Sequence, residues 1–103
     1  MPSLEGDTVV VTGATSGIGR EIALRFADAG ATVLNGDVEV EPKDADVPTH
    51  ELIEERGGTA EYVETDVSNR DDVETLVEAA REYGGVDVMV NNAGLFIGGS
   101  ILD

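Results

Sequence analysis

The residues best suited to chemistry in this sequence are glycines, carboxylates and amides that recur after short apolar runs. Thr12-Gly13-Ala14-Thr15-Ser16-Gly17-Ile18-Gly19 follows the run Thr8–Val11 and opens an amphipathic segment at Ile18. It reads as strand, glycine turn, helix. Gly13 is free to take a positive φ and turn sharply out of the strand. Gly17 and Gly19 carry no Cβ, so a phosphate or a neighbouring strand can approach the backbone. The unsatisfied N–H groups of the helix's first turn, with the positive end of its dipole, would face that phosphate. The spacing is Gly-x3-Gly-x-Gly. It differs from G-x-G-x-x-G, because the third glycine counted from Gly17 would be Ile22. No Gly-Lys-Ser/Thr follows Gly13, which excludes a Walker A loop. Taken alone, such a turn is a weak signal, and a tight turn that binds nothing is the alternative.

The elements that must position this turn are legible from periodicity. Val9 to Val11 is a β-branched run suited to a strand buried on both faces. Ile18, Ile22, Phe26 and Ala29 fall at helical spacing, with Ala23 and Ala27 widening the stripe, and Gly30 is a natural stop. A second strand covers Ala31 to Leu34, with Asn35-Gly36-Asp37 at its end. A short helix is expected near Thr49 to Arg56, with Leu52 and Ile53 inward and Gly57-Gly58 ending it. Thr59 to Thr65 reads as a third strand, closed by Asp66-Val67. Ser68 is the expected cap of the next helix, with Asp71 in the capping-box position. Val73, Leu76, Val77 and Ala80 form its apolar stripe, and Gly84-Gly85 ends it. Val86 to Val90 is the fourth strand, followed by Asn91-Asn92-Ala93-Gly94.

Composition narrows the function classes. The 103 residues allow one domain, and 22 acidic against 6 basic residues leave a formal net charge of −16. Such a surface repels nucleic acid and anionic membranes. With 41% hydrophobic residues in periodic order, the chain reads as folded, with its solvent face crowded by carboxylates. Mutual repulsion would be screened at molar salt, where the Debye length is about 3 Å, so an origin in a salt-rich cytoplasm is expected. There is no cysteine, hence no disulfide framework or thiolate zinc site. No signal peptide or membrane span can be read, so a cytoplasmic protein is expected. The acidic stretch Glu39, Glu41, Asp44 and Asp46 lacks the glycine and terminal glutamate of a calcium loop and reads as a solvated face. His50, in an exposed first helical turn without ligand partners, reads as a surface residue.

Alternating strands and helices imply a parallel sheet with helices on both faces. The expected strand order is 3-2-1-4, a Rossmann-like, doubly wound α/β fold over residues 1–103. Ligands of such sheets sit at the carboxyl ends of the strands, at the switch point. Gly13, Asp37, Asp66 and Asn91 all lie there, which is far more specific than one glycine turn.

On these motifs the chain resembles the N-terminal half of a short-chain dehydrogenase/reductase. Thr12-Gly13-x-x-x-Gly17-x-Gly19 matches that family's cofactor glycine motif, and Asn91-Asn92-Ala93-Gly94 matches its N-N-A-G motif. The resemblance implies that Gly13, Ser16, Gly17, Ile18 and Gly19 surround the pyrophosphate and adenosine of a nicotinamide dinucleotide. It places Asp66 and Val67 at the adenine, and Asn91, Ala93 and Gly94 at the adenosine-side ribose, with Asn92 bonding within the sheet. Asp37 adds a physical argument: a carboxylate there accepts hydrogen bonds from ribose hydroxyls and repels a 2′-phosphate. Ser16 offers that phosphate no positive charge. Both favour NAD over NADP.

The family's proton-transfer centre, a Ser with a Tyr-x-x-x-Lys pair, has no counterpart. Four residues after Tyr62 and Tyr83 stand Asp66 and Asp87. In that chemistry a lysine and the cofactor lower the tyrosine pKa toward neutrality. The resemblance therefore implies the cofactor-binding portion of an oxidoreductase that moves hydride between NAD and an alcohol or carbonyl, inactive as this chain alone. Two readings stand beside it: a non-catalytic dinucleotide-binding module, and a remnant that does not fold stably. The run Val86–Val90 would form an open apolar edge, so self-association or a partner strand is expected there.

Overall fold

A computed structural model describes residues 3–43 and 45–92. Its elements run β1 (Thr8–Thr12), α1 (Gly17–Asp28), β2 (Thr32–Asp37), α2 (Thr49–Glu55), β3 (Ala60–Glu64), α3 (Arg70–Arg81) and β4 (Val88–Val90). All pairings are parallel, and the sheet order is β3-β2-β1-β4, as the sequence leads one to expect. Thr12 pairs with Gly36, and Asp37 with Glu64, so three strand ends reach one rim in register.

The two faces of the sheet are filled unequally. On one, Val9, Val11, Ala23, Val33, Ile53 and Ala60 pack beneath α1 and α2. On the other, Val10, Leu34, Leu76 and Ala80 form a smaller core beneath α3. Every residue of β1 is buried, as a strand covered on both sides requires. Gly36 has no Cβ because one there would collide with Leu76 of α3.

Several local expectations shift. β2 extends through Asn35, Gly36 and Asp37 instead of ending at Leu34, because each of these continues the ladder with β1 or β3. Ile18 is not on the core stripe of α1; it is 71% exposed, and the buried line runs through Gly19 and Ala23. The α3 cap is Asn69, whose side chain accepts from the amides of Asp71 and Asp72. Ser68 is unavailable for capping, since its hydroxyl donates to Asp66 Oδ1 at 2.6 Å. β4 begins at Val88, because Asp87 is drawn to Thr8: its amide donates to Thr8 O (2.9 Å), and its carboxylate accepts from Thr8 N (2.8 Å). His50 is half-buried, not exposed. Its ring stacks on Tyr62 with centroids 6.0 Å apart.

Candidate dinucleotide-binding rim

The glycine turn sits on the carboxyl rim above β1. Gly13 has φ +70° and Gly17 has φ +61°, conformations that glycine adopts without a Cβ penalty. Gly19 works through close approach: a Cβ there would overlap the Gly13 carbonyl oxygen and Asn92 Nδ2. Asn92 Nδ2 donates to that same carbonyl at 3.1 Å. Asn92 thus fastens the turn just past β1, close to its expected place within the sheet.

Nearly every polar group of the turn before the helix is held by a neighbour. Gly13 N donates to Gly36 O at 2.9 Å. Ala14 N donates to Asn35 Oδ1 at 3.1 Å, and Ala14 O accepts from Thr49 Oγ1 at 2.7 Å. Arg20 Nη1 donates to Thr49 Oγ1 at 3.1 Å. Asn35 Nδ2 donates to Thr15 Oγ1 at 3.0 Å, and that hydroxyl donates to Glu39 O. Ser16 Oγ accepts from Lys43 N at 2.8 Å, so the loop after β2 folds back onto the turn.

The first turn of α1 is treated differently. Ser16 is its N-cap residue, yet no side chain caps the helix, and no acidic residue lies in the first turn. In a chain with 22 acidic residues, the first turn of this helix carries no acid of its own to offset its positive field.

Asp37 stands beside the turn at the end of β2, half-buried. Its Oδ2 accepts from Thr15 N at 3.1 Å and its Oδ1 from Glu39 N at 3.3 Å. Each oxygen has a lone pair left for a further donor. Asp66 is exposed beyond β3, where the Ser68 hydroxyl and amide hold its carboxyl below the ordinary range. Asn91 is exposed after β4. Ala93 and Gly94 lie outside the described residues. The rim thus brings together Gly13, Ser16, Gly17, Ile18, Gly19 and Asp37, with Asp66, Val67 and Asn91 at the neighbouring strand ends. Exposed apolar side chains accompany it: Ile18, Val38 directly after Asp37, and Val67 directly after Asp66.

Sequence reasoning missed the supporting groups Asn35, Thr15, Thr49 and Arg20. A signal for Asn35 exists: an amide that directly follows the apolar strand residues Val33 and Leu34 must find partners if it is buried.

Neither tyrosine suits proton transfer near neutrality. Burial, followed by the charges of Glu64, Asp37 and Glu39, raises the Tyr62 pKa, and its hydroxyl donates to Asp37 O at 2.8 Å. The Tyr83 hydroxyl donates to Glu61 at 2.8 Å, and this bond is the main cause of its raised pKa. No cluster of three or more metal-ligating side chains occurs among the described residues, and none of the described helices is long and apolar enough to cross a membrane. A depression of about 300 Å³ opens at the opposite end of the sheet, lined in part by Glu5, Asp28, Arg56 and Gly57. Its Arg56–Asp28 pair, 3.7 Å apart, is about half exposed, and the rim at the carboxyl ends of the strands remains the candidate site.

A family model described as short chain dehydrogenase matches residues 7–103. The chain is 44% identical over 95 residues to 3beta-hydroxysteroid dehydrogenase 2 of Eggerthella lenta, covering 91% of this chain and 35% of that protein. It is 41% identical over 96 residues to the 3-oxoacyl-[acyl-carrier-protein] reductase FabG of Thermotoga maritima, covering 89% and 37%. Among solved structures, the hydroxysteroid dehydrogenase from Escherichia coli superposes with a TM-score of 0.76 at 36% identity, covering 86% of this chain and 37% of that one. The chain spans about a third of the length of the curated relatives it matches.

Proposed function

The chain belongs to the short-chain dehydrogenase family, and on that footing we propose that it holds the adenosine and pyrophosphate of NAD for an oxidoreductase acting on an alcohol or carbonyl. Dinucleotide binding by NAD or NADP follows from the family; the choice of NAD is our own reading. One observation carries it: the uncapped, acid-free start of α1 lies next to the Asp37 carboxylate. The amides of Gly17, Ile18 and Gly19 supply donors for a pyrophosphate. Asp37 accepts from the ribose hydroxyls and opposes a 2′-phosphate. Val38, Val67 and Ile18 offer apolar cover for the adenine, with Asp66, Asn91, Ala93 and Gly94 completing the rim. We treat residues 1–103 as a single cofactor-binding domain.

The nicotinamide cofactor supplies the redox step, and the protein supplies position and electrostatics. This chain's residues would orient the adenosine half and donate hydrogen bonds to the pyrophosphate, while Tyr62 and Tyr83 stay out of proton transfer. The relatives' names span steroid and acyl-carrier substrates, so the substrate class stays at alcohol or carbonyl. We read the net charge of −16 as suited to a salt-rich cytoplasm, and the partly exposed β4 edge as the place where a second copy or partner strand would pair.

Calorimetric titration with NAD and NADP, at low and at molar salt, tests the reading. NAD is expected to bind more tightly than NADP. Asp37→Ala should narrow the gap by about tenfold, the worth of one charge-assisted contact. Folded protein that ignores both dinucleotides would overturn the reading. Stability indifferent to salt would remove the salt-rich origin.

A further inference from the structure

We propose that Asn35 is a positioning residue, setting the glycine turn against Asp37 so that the pyrophosphate and ribose subsites are built in fixed relation. The inference rests on the rim being a dinucleotide site.

Asn35 is 2% exposed, in a strand whose preceding residues, Val33 and Leu34, are apolar and buried. An apolar residue would serve strand packing there equally well. Both ends of the amide are instead used on the turn. Its oxygen accepts from Ala14 N at 3.1 Å, and its nitrogen donates to Thr15 Oγ1 at 3.0 Å. Ala14 is fully buried, and Asn35 Oδ1 is the acceptor its N–H uses, so losing Asn35 strips a buried donor of that bond.

The connection runs on from Thr15. Its hydroxyl donates to Glu39 O, and its amide donates to Asp37 Oδ2. Asn35 and Asp37 lie two apart on β2, on the same side of the strand. One side chain therefore orders two consecutive residues of the turn, and the second of these holds the ribose-recognising carboxylate. The amides of Gly17, Ile18 and Gly19 follow after Ser16, so their aim depends on where Ala14 and Thr15 are fixed. Asn35 touches no cofactor atom in this account; it limits the conformations the turn must give up on binding.

The test compares NAD with adenosine, which lacks the pyrophosphate, on the full chain carrying Asn35→Leu. Circular dichroism monitors folding, and hydrogen exchange at Ala14 is followed without ligand. We expect faster exchange at Ala14 and NAD affinity lower by about tenfold, with adenosine affinity changed by less than about twofold. Thr15→Val, which removes the hydroxyl but leaves the Ala14 bond, supplies the same comparison should the leucine variant unfold. NAD and adenosine weakened equally, or NAD unaffected, would show Asn35 to be packing alone and overturn the proposal. A wild-type chain that binds no dinucleotide would instead overturn the functional reading, while Ala14 exchange still reports whether Asn35 pins the turn.

Discussion

The first turns of α1 and α3 are built on opposite plans. α3 is closed from within: Asn69 accepts from the amides of Asp71 and Asp72, and both those residues are acidic. α1 has a serine at the same position whose side chain makes no cap, and its first turn holds no acid. Each helix is twelve residues long and each follows a strand of the same sheet. The end of α3 answers its own unpaired amides and dipole, as stability alone would favour. The start of α1 has neither a side-chain cap nor an acid in its first turn, in a chain with a surplus of carboxylates. On the proposed reading, that helix start takes the cofactor's pyrophosphate.

The sharpest way to break this contrast is to give α1 what α3 has. Ile18→Asp places a carboxylate in the first turn at a position already 71% exposed, so the fold should tolerate it. NAD affinity should fall about a hundredfold, through a like charge at the pyrophosphate. Stability should hold or rise by about 0.5 kcal/mol, since an acid there suits the dipole. A titration paired with a melt reads both, and an unchanged NAD affinity would end the contrast.

The reciprocal change is Asn69→Ala. It should cost about 1 kcal/mol of stability through loss of the α3 cap, with NAD affinity unchanged wherever the protein is folded. Weakened binding without loss of stability would mean that α3 serves the ligand too.

A smaller effect sits at the far end of α3. The Tyr83–Glu61 bond raises the tyrosine above its ordinary value of 10.0, so the native state holds this proton more firmly than the unfolded chain. That contribution is complete below about pH 10 and fades as pH rises through the raised value. Tyr83→Phe should lower stability slightly at neutral pH and flatten the alkaline part of the stability curve, leaving NAD affinity untouched. Denaturant melts at stepped alkaline pH check this.

How much of this was legible in the sequence follows the same division. The strand order, the glycine turn and the rim position of Asp37 came through, because apolar runs and glycine stops mark strand ends regardless of side-chain detail. The α3 cap was misplaced by one residue. Ser68 and Asn69 both suit capping, and only the structure reveals that Asp66 claims the Ser68 hydroxyl. Ile18 fitted the helical stripe by spacing, yet the close approach of Gly19 to Gly13 turns the buried line toward Ala23. His50 looked exposed because its partner, Tyr62, lies on a strand distant in sequence. The tie from Asn35 to Ala14 spans 21 positions, and no local pattern announces a bond of that kind.

The most direct measurement is an amide-resolved NMR titration of the full chain with NAD. The amides of Gly17, Ile18 and Gly19 are expected to shift strongly and saturate together with Asp37, while those of Arg70, Asp71 and Asp72 stay in place. Bound NAD that leaves the start of α1 unmoved, or that shifts the start of α3 instead, would contradict it.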